Sequence, residues 1–263
     1  MVVVRYVKVK SLLSPTKLGT DFVINPYAGC PHGCVYCYAS CMRGAAERGE
    51  PWGSYLDVKC PASPLDLAKL YRRSVLFSSM TDAYNPYEER SGVTRALLRS
   101  LIPARPDIVI ITKSALVSRD ADIFKEFPRV KAVFSFSSLD DGFRRRAEPH
   151  ASSPAKKLAA METLKNAGVE VGVMAAPIFP GITDCAEIIK ACAPFASSMT
   201  FDTLNLRAGN RDKILNFVKT IRPGLAPLYR RIYDEGDRAY WRALRAEAEG
   251  ECRARGVKFS IFF

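Results

Sequence analysis

An α/β protein, with a parallel sheet flanked by helices, is the fold class this sequence predicts. Two observations carry the prediction. Short apolar, β-branched runs alternate with longer amphipathic stretches six times in succession. The runs are apolar almost throughout, as strands buried on both faces are. Six repeats suit an open doubly wound sheet or a partial barrel, and periodicity does not choose between them. In either architecture the loops after the strands carry the chemistry.

The elements follow in chain order. MVVVRYVKVK reads as a strand rather than a signal peptide, because it lacks a sustained apolar stretch and a small-residue cleavage site. The first repeat joins the strand SYLDVK (54–59) to a helix over 64–73, opened by Ser63-Pro64. VLFSSM (75–80) is followed by a helix over 91–101, and DIVIIT (107–112) by one over 120–127. VKAVFSFS (130–137) precedes a helix over 154–167, which Ser153-Pro154 opens and Gly168 ends. VEVGVMAA (169–176) leads to a helix over 184–193, and MTFDTLNL (199–206) to one over 212–221. A long polar helix over 236–255 and a closing strand, VKFSIFF, complete the chain. One large domain over 1–263 is expected, with a core of about 20–222 and an extension over 223–263.

Composition narrows the partners. With 48% hydrophobic and 25% charged residues the chain falls among ordinary soluble globular proteins, and no apolar run is long enough to span a membrane. A cytoplasmic location is expected, where thiols stay reduced and clustered cysteines are metal ligands or catalysts rather than disulfides. The net charge is +12, from 39 basic and 27 acidic residues, which favours a polyanionic partner such as DNA, RNA or a phosphorylated substrate. Solubility alone is the plainer reading of that charge.

NPYAGCPHGCVYCYASC (25–41) holds four of the eight cysteines. Cys30, Cys34 and Cys37 are spaced C-x3-C-x2-C, and a compact loop can fold three such thiolates around one corner of a cubane, with Gly29 and Gly33 allowing tight turns. Three ligands leave one iron of a [4Fe–4S] cluster open for catalysis. Zinc is the alternative, with Cys41 and His32 as local candidates to complete its tetrahedron. Buried free thiols are the third reading.

On these residues the sequence resembles the radical S-adenosylmethionine (SAM) enzymes, which share C-x3-C-x2-C with an aromatic before the third cysteine, here Tyr36. NPYAGCPHGCVYCYA is similar to the branch containing spore photoproduct lyase, often labelled DNA-repair photolyase-like. The resemblance continues through FSSMTDAYNPYEE (77–89), ITKSALVSRD (111–120), FSFSSLD (134–140), Glu148-Pro149 and VGVMAAPIFPGITD (171–184). It implies a partial (β/α)6 TIM-like barrel with a short N-terminal β extension and a C-terminal helix and strand. It implies a [4Fe–4S] cluster on Cys30, Cys34 and Cys37, whose open iron binds SAM. A reductant such as ferredoxin or flavodoxin would supply the electron, and the 5′-deoxyadenosyl radical would abstract hydrogen from substrate.

The same resemblance distributes the SAM contacts. Lys113, after the third strand, matches a lysine that approaches the SAM carboxylate. Ser79 and Thr81, with Met80 and Asp82, lie where the family grips the methionine moiety. Ser135 and Ser137 share one strand face and are candidates for the ribose. Tyr36 and Tyr38 are candidates for adenine, against simple aromatic packing around the cluster. Ala175, with Ala176 and Pro177, lets adenine lie against the backbone. Asp202, Asn205 and Arg207, after the sixth strand, are candidates for the substrate side. His150 reads as structural. Cys41, Cys60, Cys185, Cys192 and Cys252 read as small buried hydrophobes.

Spore photoproduct lyase carries a cysteine hydrogen donor where this chain has Ser79. A serine O–H is too strong to give hydrogen readily to a carbon radical, so thymine-dimer repair by that route is in doubt. The expected activity is hydrogen abstraction from a nucleic acid or nucleotide lesion. Radical modification of a peptide or small metabolite is the second reading. A non-catalytic, metal-stabilised nucleic-acid-binding module is the third, and it has no need of six βα units.

Overall fold

The computed structural model describes residues 2–206 and 209–263 of the chain. Eleven strands are present among them: β1 (Val3–Val9), β2 (Leu13–Pro15), β3 (Phe22–Ile24), β4 (Tyr27–Ala28), β5 (Tyr55–Pro61), β6 (Ser74–Phe77), β7 (Asp107–Thr112), β8 (Val130–Phe136), β9 (Glu170–Ile178), β10 (Ser198–Thr203) and β11 (Lys258–Ile261). They form an eight-stranded sheet in the order β11-β10-β9-β8-β7-β6-β3-β2 and a three-stranded sheet in the order β1-β5-β4.

From β3 through β6, β7, β8, β9 and β10 the neighbours are parallel and successive, which is the partial (β/α)6 barrel. β11 adds a seventh parallel strand beyond β10, and β2 closes the opposite edge antiparallel to β3. The closing strand expected from VKFSIFF is therefore part of the large sheet.

Sequence and structure part at the first repeat. SYLDVK is a strand, but it pairs with β1 and β4 outside the barrel. The first barrel strand is the three-residue β3, too short for its period to register. The helix expected over 64–73 contracts to Leu67–Leu70, whose N-cap Asp66 accepts from Lys69 N. That over 120–127 contracts to Ala121–Phe124, after a 3-10 turn at Ala115–Asp120. A helix at Asp141–Ala147, capped by Asp140, was not expected. The remaining barrel helices keep their places: Val93–Leu101, Pro154–Asn166, Cys185–Cys192 and Arg211–Ile221.

Strand alternation positions the site. Phe77, Ile108, Ile110, Phe134, Phe136, Val173, Ala175 and Phe201 join one buried core against the helices. Burying each phenylalanine there contributes about 1.5–3 kcal/mol relative to exposure. Ser135 of β8 takes the opposite, inner face and pairs with Met174 in register, and Ser137 follows just past the strand's end. Cys185, Cys192 and Cys252 are buried in the helix-side core as the small apolar residues they were read to be. Cys41 and Cys60 are only partly buried. Among the described residues no helix is long and apolar enough to cross a membrane.

Candidate active site

The cysteine loop follows β3 and β4 and returns through β5. Two close approaches shape it. Gly29 has φ +77°, and a Cβ there would meet the Tyr55 ring at 2.5 Å. Gly53 has φ +96°, and a Cβ there would lie 2.8 Å from the Cα of Gly33. Successive turns wind the chain between them, with Gly33 N donating to Cys30 O at 3.2 Å and Cys37 N to Cys34 O at 3.3 Å. Cys30, Cys34 and Cys37 are all free thiols; the first two are buried and Cys37 is partly open. Burial, then the charge of Glu148, raises the Cys34 thiol well above its ordinary range. Among the described residues no three His, Cys, Asp or Glu side chains gather as ligands of one metal ion. A cubane takes each thiolate on a different iron and does not require that.

Several side chains pin this loop over the barrel. Buried His32 places Nδ1 3.3 Å from Asp82 Oδ2. Burial opposes its protonation, but the Asp82 carboxylate wins and lifts its pKa to about 10. Asp82 in turn accepts from Thr112 Oγ1 at 2.7 Å, Lys113 N at 2.8 Å and Tyr84 N at 2.9 Å. Asp82 therefore joins the ends of β6 and β7 to the cysteine loop. The Tyr38 hydroxyl donates to Ser79 O and the Tyr36 hydroxyl to Glu148 Oε1. Tyr36 is buried edge-on against Phe179, ring centroids 5.5 Å apart, whereas Tyr38 remains 45% exposed.

Beyond β6 the backbone leaves its usual range. Ser78 has φ +64°, a conformation that non-glycine residues seldom adopt and that concentrates at ligand sites. Ser79 N donates to Asn25 Oδ1 at 3.0 Å, and Thr81 Oγ1 lies 3.3 Å from Ser78 Oγ. The Ser79–Asp82 turn is thus laced to the cysteine loop from both ends.

Lys113 reaches across the inner face, donating from Nζ to Ser135 Oγ at 2.5 Å, with Glu148 Oε1 3.9 Å away. Burial works against its charge, while Glu148 and Cys34 raise its pKa overall. Ser135 donates to Ala176 O at 3.0 Å and Ser137 to Glu148 Oε1 at 2.7 Å. Glu148 itself is fully buried. Burial pushes its carboxyl up, and Lys113 and Lys157 pull it below the ordinary range. Its other oxygen, Oε2, has no hydrogen-bond partner.

The structure therefore brings together Cys30, Cys34, Cys37, Tyr36, Tyr38, Ser79, Thr81, Lys113, Ser135 and Ser137. Ala175 goes elsewhere: its side chain joins the helix-side core, and Ala176 is the residue on the serine face. Asp202 and Asn205 are exposed at the end of β10, with Asp202 Oδ1 accepting from Thr203 N at 2.8 Å. Arg207 lies outside the described residues. Cys41 sits against Gly209, where a Cβ would come within 3.0 Å of its sulfur.

Two buried charges escaped the sequence reading. Glu148 was noticed only as part of a Glu-Pro pair. Lys157 was missed, although it sits at helical spacing with buried Ala160, Met161 and Leu164 and so marks itself on the apolar stripe. Its Nζ donates to Ser135 O at 2.7 Å and lies 3.9 Å from the Phe136 ring centre.

Comparison with known proteins gives this arrangement a class. Residues 24–192 match the Radical SAM superfamily, and the chain belongs to that superfamily. An uncharacterised protein of Methanocaldococcus jannaschii is 35% identical over 208 residues, covering 79% of this chain and 80% of its own. Among solved structures, a spore photoproduct lyase mutant with bound AdoMet and dinucleoside spore photoproduct superposes with TM-score 0.58 at 16% identity, over 84% of this chain and 66% of that one. This chain thus spans just under two thirds of the lyase. SuiB of Streptococcus suis bound to S-adenosylmethionine superposes with TM-score 0.51 at 11% identity, over 92% of this chain and 50% of that one. At such identities the likeness to the solved structures is one of fold. Superfamily membership implies a [4Fe–4S] cluster and SAM. The residues present fit both: three free thiols on one loop, and a buried carboxylate oxygen without a donor beside Lys113.

Proposed function

We propose that this chain is a radical SAM enzyme that abstracts hydrogen from a nucleic acid or nucleotide substrate. The observation that carries the reading is the loop of three free cysteines held against Lys113 and the serine face of β8. When bound, the cluster supplies the electron that cleaves the sulfonium bond of SAM. Cys30, Cys34 and Cys37 would hold it. Lys113 would pair with the SAM carboxylate, its charge maintained by Glu148. Ser135 and Ser137 offer hydroxyls for the ribose, and the Ser79–Asp82 turn offers backbone groups for the methionine end. Tyr36 and Phe179 pack an apolar wall beside the loop and exclude water from it.

The net charge of +12 supports a polyanionic substrate, and Arg145 and Arg146 are exposed on the helix that follows β8. In the lyase repair route a cysteine gives hydrogen back to the product radical. Ser79 cannot, so lesion reversal by that route is not part of the proposal. A one-electron donor of the ferredoxin or flavodoxin kind is its partner.

The test is 5′-deoxyadenosine release by anaerobically reconstituted, dithionite-reduced protein given SAM, beside a Cys30/Cys34/Cys37→Ala control. Release by the wild type alone is expected. Stoichiometric zinc without iron, and no release, would sink the enzyme reading. DNA or RNA binding that weakens steeply with salt is expected for the substrate class. Salt-independent binding of a peptide or small metabolite would replace it.

A further inference from the structure

The turn 147–152 stands between the cysteine loop and the end of β7 and touches both. On the loop side, Val35 N donates to Ala147 O at 2.9 Å and His150 N to His32 O at 3.4 Å. Pro149 packs against Gly33, 3.6 Å from where a Cβ would stand, and the Tyr36 hydroxyl donates to Glu148. On the other side, Ser152 N donates to Lys113 O at 3.1 Å, and Ala115 N to Ser152 Oγ at 2.9 Å. A few residues of irregular backbone thus set the distance between the thiols and Lys113.

Irregular backbone that is partly buried leaves carbonyls that need donors. Arg144 supplies them. Its Nη1 donates to Ala151 O at 2.9 Å, Glu148 O at 3.3 Å and Pro149 O at 3.3 Å. Its Nε donates to Asp141 Oδ1 at 2.9 Å, and the side chain is only 9% exposed. The planar guanidinium holds these donors in fixed directions, so it shapes the turn as well as satisfying it. Neighbouring Arg145 and Arg146 point to solvent and have no such part.

We propose that Arg144 is a positioning residue of the radical site, which sets the spacing between the cluster loop and Lys113 by holding the turn 147–152 in shape. The proposal rests on the cluster and SAM roles given above to the cysteines and Lys113. Arg144 acts through the turn and touches neither group. Loss of the guanidinium takes the side-chain donor from Pro149 O and Ala151 O and leaves Glu148 O with Ala151 N at 3.1 Å, and the turn relaxes at both of its contacts.

The experiment uses the reconstituted holoenzyme of wild type, Arg144→Lys, Arg144→Met and Asp141→Asn. Iron and sulfide per chain, the EPR spectrum of the reduced cluster with and without SAM, and the Kd for SAM are measured beside circular dichroism. Arg144→Met is expected to keep its secondary structure, to bind SAM about tenfold more weakly, and to lose most of the SAM-induced change in the EPR signal. Arg144→Lys is expected to restore the charge without restoring that change, because an ammonium is a point donor. Asp141→Asn, at a partly exposed position, removes the charge that faces Nε while keeping an oxygen to accept from it, and should give a milder version of the same shift, which reads the effect even if Arg144→Met does not fold. A wild-type EPR response and SAM affinity in a folded Arg144→Met protein would overturn the proposal. So would full rescue by lysine, since charge alone would then suffice. A wild-type cluster whose spectrum ignores SAM would overturn the site assignment and this proposal with it, an outcome distinct from the other two.

Discussion

Glu88 and Glu148 are both carboxylates with no solvent exposure, yet they are built in opposite ways. Glu88 Oε1 accepts from Arg119 Nη2 at 2.9 Å and Arg95 N at 3.3 Å, while Oε2 accepts from Thr94 N at 2.9 Å and from the Tyr27 hydroxyl. Arg119 continues to Asp120, which also takes Arg95 and the Tyr84 hydroxyl. Every oxygen of Glu88 is used, and the network ties β4 to the helices behind β6 and β7. Glu148 uses one oxygen for Tyr36 and Ser137, has its nearest cation 3.9 Å off, and leaves the other oxygen bare. A satisfied buried charge is a fastening. An unsatisfied one is tolerated at a cost of about 1–3 kcal/mol, and such groups collect where a ligand or mechanism needs them.

The sharpest test of that contrast makes the same change at both positions. Glu88→Gln is expected to destabilise the apo protein by about 3–5 kcal/mol, because it breaks a buried pair, leaves Arg119 with Asp120 alone, and turns an amide NH2 on donors that the carboxylate accepted from. Urea titration measures this, and SAM binding by the reconstituted, folded fraction should be unchanged. Glu148→Gln should cost less stability, about 1–3 kcal/mol, and should weaken SAM binding and alter the cluster's EPR signal. Equal losses of stability from the two, with SAM affinity intact in both, would erase the distinction.

The tyrosines refine it on a smaller scale. Tyr27→Phe and Tyr36→Phe should each cost about 1 kcal/mol. Only Tyr36→Phe should change the spectrum of the cluster loop; a spectral change from Tyr27→Phe would mean that the two networks are coupled.

Lys157 provides the smallest effect. Burial holds its pKa down to about 8, with Glu148 opposing that shift, against a model-peptide value of 10.5. Below about pH 8 both folded and unfolded chains carry the proton, and the slope vanishes. Between about 8 and the ordinary lysine range the unfolded chain keeps a proton that the folded one has released, so stability rises with pH. In Lys157→Met this contribution disappears. The wild-type stability relative to the variant, followed by urea midpoints of the apo proteins from pH 7 upward, should therefore increase with pH. Parallel profiles would show that Lys157 is not the titrating group.

Much of this was legible in the sequence, for reasons that can be named. β7 runs over the same residues as its apolar run, and β8, β9 and β10 deviate by a few residues, because both-face burial leaves an unbroken apolar signal. The cysteine loop was readable from its spacing, and Lys113 from the family resemblance that places a lysine after the third strand. Partnership was not. SYLDVK has strand character in either sheet, and only contacts with β1, far away in sequence, decide which. The Glu88 network draws on residues 27 and 119, and the Glu148 network on residues 36 and 113. Local pattern holds no trace of such pairings. Ser78 carries its left-handed backbone without a glycine to announce it.

The three-stranded sheet shares no strand with the eight-stranded one. It is held to the rest of the molecule by side chains: Tyr27, Leu56 and Val58 pack against Tyr87 and Val93, Val9 packs on the main core, and Tyr27 bonds to Glu88 and Ser91. Opening this sheet breaks no ladder bond of the barrel, so it is expected to lose its backbone protection as a unit before the barrel does. Amide exchange would register this as earlier loss of protection in β1 and β5 than in β7 to β9, and exchange of both sheets at one rate would rule it out.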